Sequence, residues 1–253
     1  MSDLEVPSAG EVISGLSQWQ RVTKTFSAPS KTFADIKRGN RSWWLPFILL
    51  TAATYILFAA ITFKIGWAQV VDNTIRLNPK VEAQMAQLTP EQRATANRIT
   101  LYSIEGTFIA TPAIVLAGFA IFSLGLWGTI NFVFGGKAKF GSIFAVWMYA
   151  SLPGIVKSLL GTIAIFAGAA PESFNLKNFA PTNIGAFLDP IATNKALYTL
   201  ASSLDAVTIW TLMLLGIGTA TVAGLKRSSG YIAVFGWWAL FVLIGVSWTV
   251  ING

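Results

Sequence analysis

"GSIFAVWMYASLPGIVKSLLGTIAIFAGA", residues 141–169, decides the fold. The run is longer than the ~20 apolar residues that cross a ~30 Å hydrocarbon layer. Inside it, Pro153 and Lys157 stand four residues apart. Four other segments are comparable: 43–63, "WWLPFILLTAATYILFAAITF"; 106–134, "GTFIATPAIVLAGFAIFSLGLWGTINFVF"; and stretches at roughly 198–224 and 231–251. Together they predict an all-α, polytopic integral membrane protein. Its architecture is a bundle of five transmembrane helices with an N-terminal amphipathic interfacial segment. The second and third segments exceed the bilayer, so tilt, kinks or protruding ends are expected, with Pro112 and Pro153 as kink sites.

Composition agrees. The chain of 253 residues is 54% hydrophobic and 11% charged, against about 25% charged for a soluble domain. It has no cysteine and no histidine, which removes disulfides, thiol nucleophiles, imidazole bases and the usual zinc, haem and copper ligands. No cofactor is implied. No nucleophile is paired with a base, so the chain reads as a non-enzyme, catalytic residues none. The glycines of "GFAIFSLG" and "GIGTATVAG" lack the strand–turn–helix context of a phosphate loop. The net charge of +7 comes without an aromatic-interleaved basic patch, which argues against nucleic acid and for anionic lipid headgroups.

The links orient the bundle. "GGKAKF" (135–140) and "LKRSSG" (225–230) are short, basic and free of acids. With five spans they share a side with the N-terminal segment, which carries Arg21, Lys24, Lys31, Lys37, Arg38 and Arg41. Positive charge marks that side as cytoplasmic and places the C-terminus outside. "MSDLEVPSAGEV" is acidic and polar, so the first span is expected to act as an uncleaved insertion signal.

Residues 1–42 form the cytoplasmic N-terminal segment and 43–253 the transmembrane domain. In the former, Val12, Leu16, Trp19, Val22 and Phe26 recur at helical spacing. The spacing predicts an amphipathic helix on the leaflet with Arg21 and Lys24 near headgroups. Pro29 opens a second short helix bringing Phe33 and Ile36 to the same surface. Trp19, Trp43 and Trp44 are the interfacial anchors. Of the two outer loops, 64–100 holds "LTPEQRATANRI", a helix start with Thr89 as cap and Pro90 in the first turn. The other, 171–197, has three prolines and no clear period, and reads as an irregular cover.

Three ionisable residues fall within or at the edge of spans: Glu105, Lys157 and Asp205. Reaching outward, Lys157 meets Asp205, or less easily Glu105, or snorkels to the interface. Gly154, Ser158 and Thr162 form a small-residue row beside Lys157, with Gly161 one turn beyond it. Gly216, Ala220 and Gly224 form a row on the fourth span. Such rows permit close helix approach, and the expectation is that they pack spans three and four together. The polar cluster is read first as structural, and secondarily as an ion or substrate pathway.

"FSAPSKTFADIKRGNRSWWLPF", "FGSIFAVWMYASLPGIVKSLLG" and "SLDAVTIWTLMLLGIGTATVAGLKRSSGYIAV" resemble, in this order, the Yip domain family of Ypt/Rab-interacting membrane proteins, in its bacterial branch. The shared features are a proline–aromatic stretch before span one, the element from Tyr149 to Pro153, and Trp210 followed by Gly216 and Gly218. The resemblance implies five spans, a cytoplasmic N-terminus and an outside C-terminus. It also implies a place in the bacterial plasma membrane and partners among the bilayer and other membrane proteins. It supplies no catalytic residues. Eukaryotic members are linked to Rab GTPases, but the N-terminal segment here is only about 42 residues. The expectation is a scaffold or accessory factor for membrane partners or membrane organisation. The alternative is a small transporter or ion pathway using Lys157, Asp205 and Glu105.

Overall fold

A computed structural model describes residues 15–168 and 170–252, and Val12 of the N-terminal stripe lies outside them. The helices are α1 (Gln18–Ser27), α2 (Pro29–Lys37), α3 (Trp44–Lys64), α4 (Trp67–Arg76), α5 (Pro79–Ala86) and α6 (Pro90–Gly128). They continue with α7 (Phe140–Ala150), α8 (Pro153–Phe166), α9 (Lys195–Ser203), α10 (Ala206–Ala223) and α11 (Arg227–Asn252). Among the described residues the only β-type pairing is an isolated bridge between Asn183 and Asp205.

Five helical units are long and apolar enough to cross a membrane: α3, α6 with the π-helical turn Thr129–Val133, α7 with α8, α10, and α11. α10 is the central one. Of its most apolar window 56% is buried, against 11% for α6 and 6% for α11. The outer helices therefore turn Ile109, Ile121, Leu243 and Ile251 outward. In water such surface would be a liability, but against acyl chains it is the expected coat.

The element starts follow local chemistry. Ser17 caps α1 by accepting from the Gln20 N–H, while the Gln20 side chain accepts from the Ser17 N–H. Thr89 and Gln92 form the same reciprocal cap on α6, with Pro90 in the first turn. From there α6 runs without a break into the second span. With the π turn it is 44 residues, or ~66 Å, about twice the hydrocarbon thickness. Pro112 sits inside this helix and leaves the Phe108 carbonyl without its helical donor. One residue on, the Tyr55 hydroxyl donates to the Ile109 carbonyl at 3.1 Å.

Three expectations are corrected here. The third span is interrupted at Ser151–Leu152, and Pro153 begins a new helix, α8, instead of kinking one helix. The fourth span starts at Ala206 and not near 198, because Leu204 and Asp205 leave helical geometry between α9 and α10. The small-residue rows do not form the contact between spans three and four. A Cβ on Gly154 would face Leu50 of α3 at 3.7 Å, and one on Gly161 would meet the Phe179 ring at 2.5 Å. Gly216 faces Tyr231 of α11, and a Cβ on Gly230 would lie 2.2 Å from the Gly216 carbonyl oxygen and 2.8 Å from the Ala220 Cβ. The close approach is thus between α10 and α11. Gly224 is no packing residue; it ends α10 in the left-handed conformation at φ 72°.

The N-terminal helices share the main core. Val22, Phe33 and Ile36 are buried with Leu126, Ile143, Val146, Leu212 and Leu215. Phe33 and Ile36 are wholly covered, and a Cβ on Gly218 would strike the Phe33 ring at 2.9 Å. Their predicted place on the leaflet surface is therefore corrected: α2 packs into the bundle along α10. The two short links lie at this same end. The Lys137 N–H donates to the Ala223 carbonyl at 3.2 Å, and Arg227 donates to the Ser30 hydroxyl at 3.0 Å. At the other end, Asn73 of α4 donates to the carbonyls of Pro171 and Phe174 at 2.8 and 2.9 Å, tying the two long loops together.

Candidate functional site: two buried ion pairs

Asp205 owes its position to the break before α10. It is the N-cap of that helix, and its Oδ1 accepts from the Thr208 N–H at 2.8 Å. Its Oδ2 accepts from the Thr182 hydroxyl at 2.6 Å and from the Lys157 ammonium at 2.9 Å. The Asp205 side chain is 4% exposed and that of Lys157 27% exposed. Lys157 also lies 5.8 Å from the centre of the Phe179 ring, which Gly161 admits by lacking a Cβ. The Ala206 N–H donates to the Thr182 carbonyl at 2.9 Å. One carboxylate thus joins α8, the loop before α9, and α10. Above it Asn183 donates to the Asn178 side chain at 2.6 Å, and Asn178 donates to the Tyr198 hydroxyl at 3.4 Å.

Glu105 stands apart. It is half-exposed on α6, and among the described residues it makes no hydrogen bond or ion pair. A proton pathway needs successive ionisable groups within hydrogen-bonding reach. Here one anion is held by three donors from three elements, the arrangement of a fixed joint.

The second pair was not foreseen. Arg21, expected among headgroups, has a side chain only 1% exposed. Its Nη1 donates to the carbonyls of Asn40 and Ser42 at 2.8 and 3.2 Å, and its guanidinium lies over the Tyr149 ring at 5.2 Å. Asp35, 2% exposed, is 3.7 Å from the Arg21 Nε and 3.5 Å from Arg38. Its oxygens accept from the Leu16 N–H at 3.2 Å and the Asn40 amide at 3.1 Å. The Tyr149 hydroxyl donates to Ser42 at 3.0 Å. The network pins α1 and α2 to the start of α3 and to α7. A signal for it exists in the sequence: Asp35 is the only acid between Gly15 and Ser42.

Of the tryptophans read as anchors, Trp19 is 61% and Trp44 51% exposed. Trp43 turns inward instead, edge-on to Phe144 at 5.2 Å and to Phe47 at 6.0 Å. In the loop between α8 and α9, the N–H groups of Ala192 and Ile191 hold Asp189 below the usual carboxylate range. A lowered folded pKa means that this turn is favoured above the ordinary carboxylate pKa and loosens as pH falls.

A family model described as the Yip1 domain matches residues 23–249. The chain belongs to the Yip1 domain family. No curated protein and no solved structure matches it. The matched region of the Yip1 domain runs from within α1 into α11, so it contains α2 with Asp35 as well as the Lys157–Asp205 joint. The protein is thus a multi-pass membrane protein of the Yip1 type.

Proposed function

We propose that this Yip1 domain protein is a non-enzymatic scaffold or accessory factor for membrane partners. We place it in a bacterial inner membrane, N-terminus cytoplasmic and C-terminus outside. The observation that carries the reading is the Arg21–Asp35 network. It fixes the N-terminal helices against the spans and leaves Trp19, Thr23, Lys31 and Arg38 of this segment exposed. A surface held in place by buried charge is suited to binding, since little side-chain or backbone freedom remains to be lost on contact. The Lys157–Asp205 joint serves this by fixing helix register at the opposite end.

Membrane partners are the class that such a surface fits, because α1 meets the start of the first span, where the Leu45 N–H donates to the Gln18 side chain at 3.3 Å, and the adjoining residues Trp19 and Trp44 are both exposed. A photo-cross-linking residue at position 19 in native membranes tests the reading. Discrete protein adducts that disappear with Arg21→Met support it. Solute or proton flux in reconstituted vesicles, abolished by exchanging Lys157 and Asp205 for Met and Leu, would overturn it.

A further inference from the structure

A large apolar cleft lies away from both ion pairs. About 720 Å³ in volume, it opens between α6 and α11, floored by Trp147 of α7 and by Leu212 and Leu215 of α10. Along α11 it reaches from Val234 to Gly245, ~16 Å of helix. Every lining residue is apolar or glycine except Thr199 and Ser203 of α9. Those two hydroxyl residues lie one turn apart on one face, and Lys195 lies one turn further along the same face. The Thr199 side chain makes no hydrogen bond among the described residues. Lys195 makes no ion pair among them. The Ser203 hydroxyl donates to the Leu200 carbonyl at 2.6 Å, so the cleft offers hydrocarbon and the Thr199 hydroxyl, with the cation Lys195 one turn beyond its lining.

We propose that this cleft binds one anionic glycerophospholipid. An acyl chain fills the apolar part, the ester region meets the Thr199 hydroxyl, and the phosphate lies against Lys195. The order of groups along α9 repeats the order along such a lipid. Charge also selects it: the cation beside the apolar recess favours a lipid of net negative charge over a zwitterionic lipid or an apolar helix. The inference does not depend on the scaffold reading, since a transporter could carry the same lipid.

Gly245 provides the test. Nothing lies within 4 Å of where its Cβ would be, so Gly245→Phe fills the cleft without a backbone clash. The full chain, purified in detergent, is mixed with dioleoyl phosphatidylglycerol or dioleoyl phosphatidylcholine, and retained lipid is counted by native mass spectrometry. The wild type is expected to keep one phosphatidylglycerol in preference to phosphatidylcholine. Gly245→Phe should lower its retention at least tenfold, and Lys195→Glu should remove the preference between the two headgroups. Lys195 is half-exposed outside the core, so that variant carries the test alone if the phenylalanine impairs folding. Unchanged retention and preference in Lys195→Glu would overturn the proposal. So would loss of a dimer, with lipid retained, in Gly245→Phe, because the cleft would then be a self-association surface.

Discussion

At the scale of the residue, the two ion pairs differ in how far the sequence announced them. Lys157 and Asp205 stand out because each is an ionisable group in an apolar stretch, and in the structure they lie 2.9 Å apart. What the sequence reading missed is that Asp205 caps a helix, although an Asp directly before an apolar run is a legible start signal. Arg21 was misplaced because a cation near an apolar stripe is ordinarily a headgroup contact, and its partner Asp35 lies in a different helix. The pairs make separable predictions. Lys157→Met strips Asp205 of its cation but leaves Thr182 and the Thr208 N–H, so the loss should be about 2 kcal/mol, below the 3–5 of a fully dry pair. Adding Asp205→Asn, which removes the stranded charge but keeps the cap on Thr208 and a partner for the Thr182 hydroxyl, should restore most of it, and thermal unfolding in detergent would show the double variant melting above the single one. Arg21→Met should cost about 3 kcal/mol and expose the α1–α2 hairpin to protease, because Asp35 is left buried beside two freed carbonyls. Trp19→Ala, on the exposed side of the same helix, should fall within about 0.5 kcal/mol of wild type.

At the scale of the element, hydropathy and capping residues placed most helices, and Thr89–Pro90 located the start of the longest one within its first turn. Small-residue rows were harder to interpret. A glycine row says that some helix approaches closely, but not which one, since that depends on the rotation of each helix and on the chain's route between spans. Here the row on α10 receives α11, whose own Gly230 sits against Gly216 and Ala220. Two alanine substitutions on α11 separate contact from composition. Gly230→Ala puts a methyl group 2.2 Å from a backbone oxygen, so α10 and α11 must part; a loss of 3 kcal/mol or more is expected, at the overpacking limit. Gly236→Ala meets nothing within 4 Å and should gain up to about 1 kcal/mol from helix propensity. Equal melting temperatures for the two variants would contradict the α10–α11 interface. Tyr55→Phe tests the support of the proline in α6: loss of its bond to Ile109 should cost about 1 kcal/mol.

At the scale of the whole molecule, the structure puts α1, α2 and both short links at one end and both long loops at the other. Charge is the ground for the proposed orientation. The first end holds ten lysines and arginines from Arg21 to Arg227, with Asp35 the only acid among residues 15–42, 135–140 and 224–230. The second end holds seven cations, from Lys64 to Lys195, interleaved with acids such as Asp72, Glu82, Glu91 and Glu172. Short loops rich in cations weigh most in setting orientation, and long segments cross with little regard to charge. The contrast of ten against seven is modest in number, but all of the short links fall on the richer side. The chain has no cysteine, so single-cysteine variants report location without background. In right-side-out membrane vesicles, a membrane-impermeant maleimide should label Gln84→Cys and Phe187→Cys, both exposed positions, and leave Lys137→Cys and Ser229→Cys unlabelled until the membrane is opened. Labelling of position 137 and position 229 on opposite sides would deny that their links share an end, and with it the five-span count. Labelling of both before opening would keep the fold and invert it, which would move the Trp19 surface away from cytoplasmic partners.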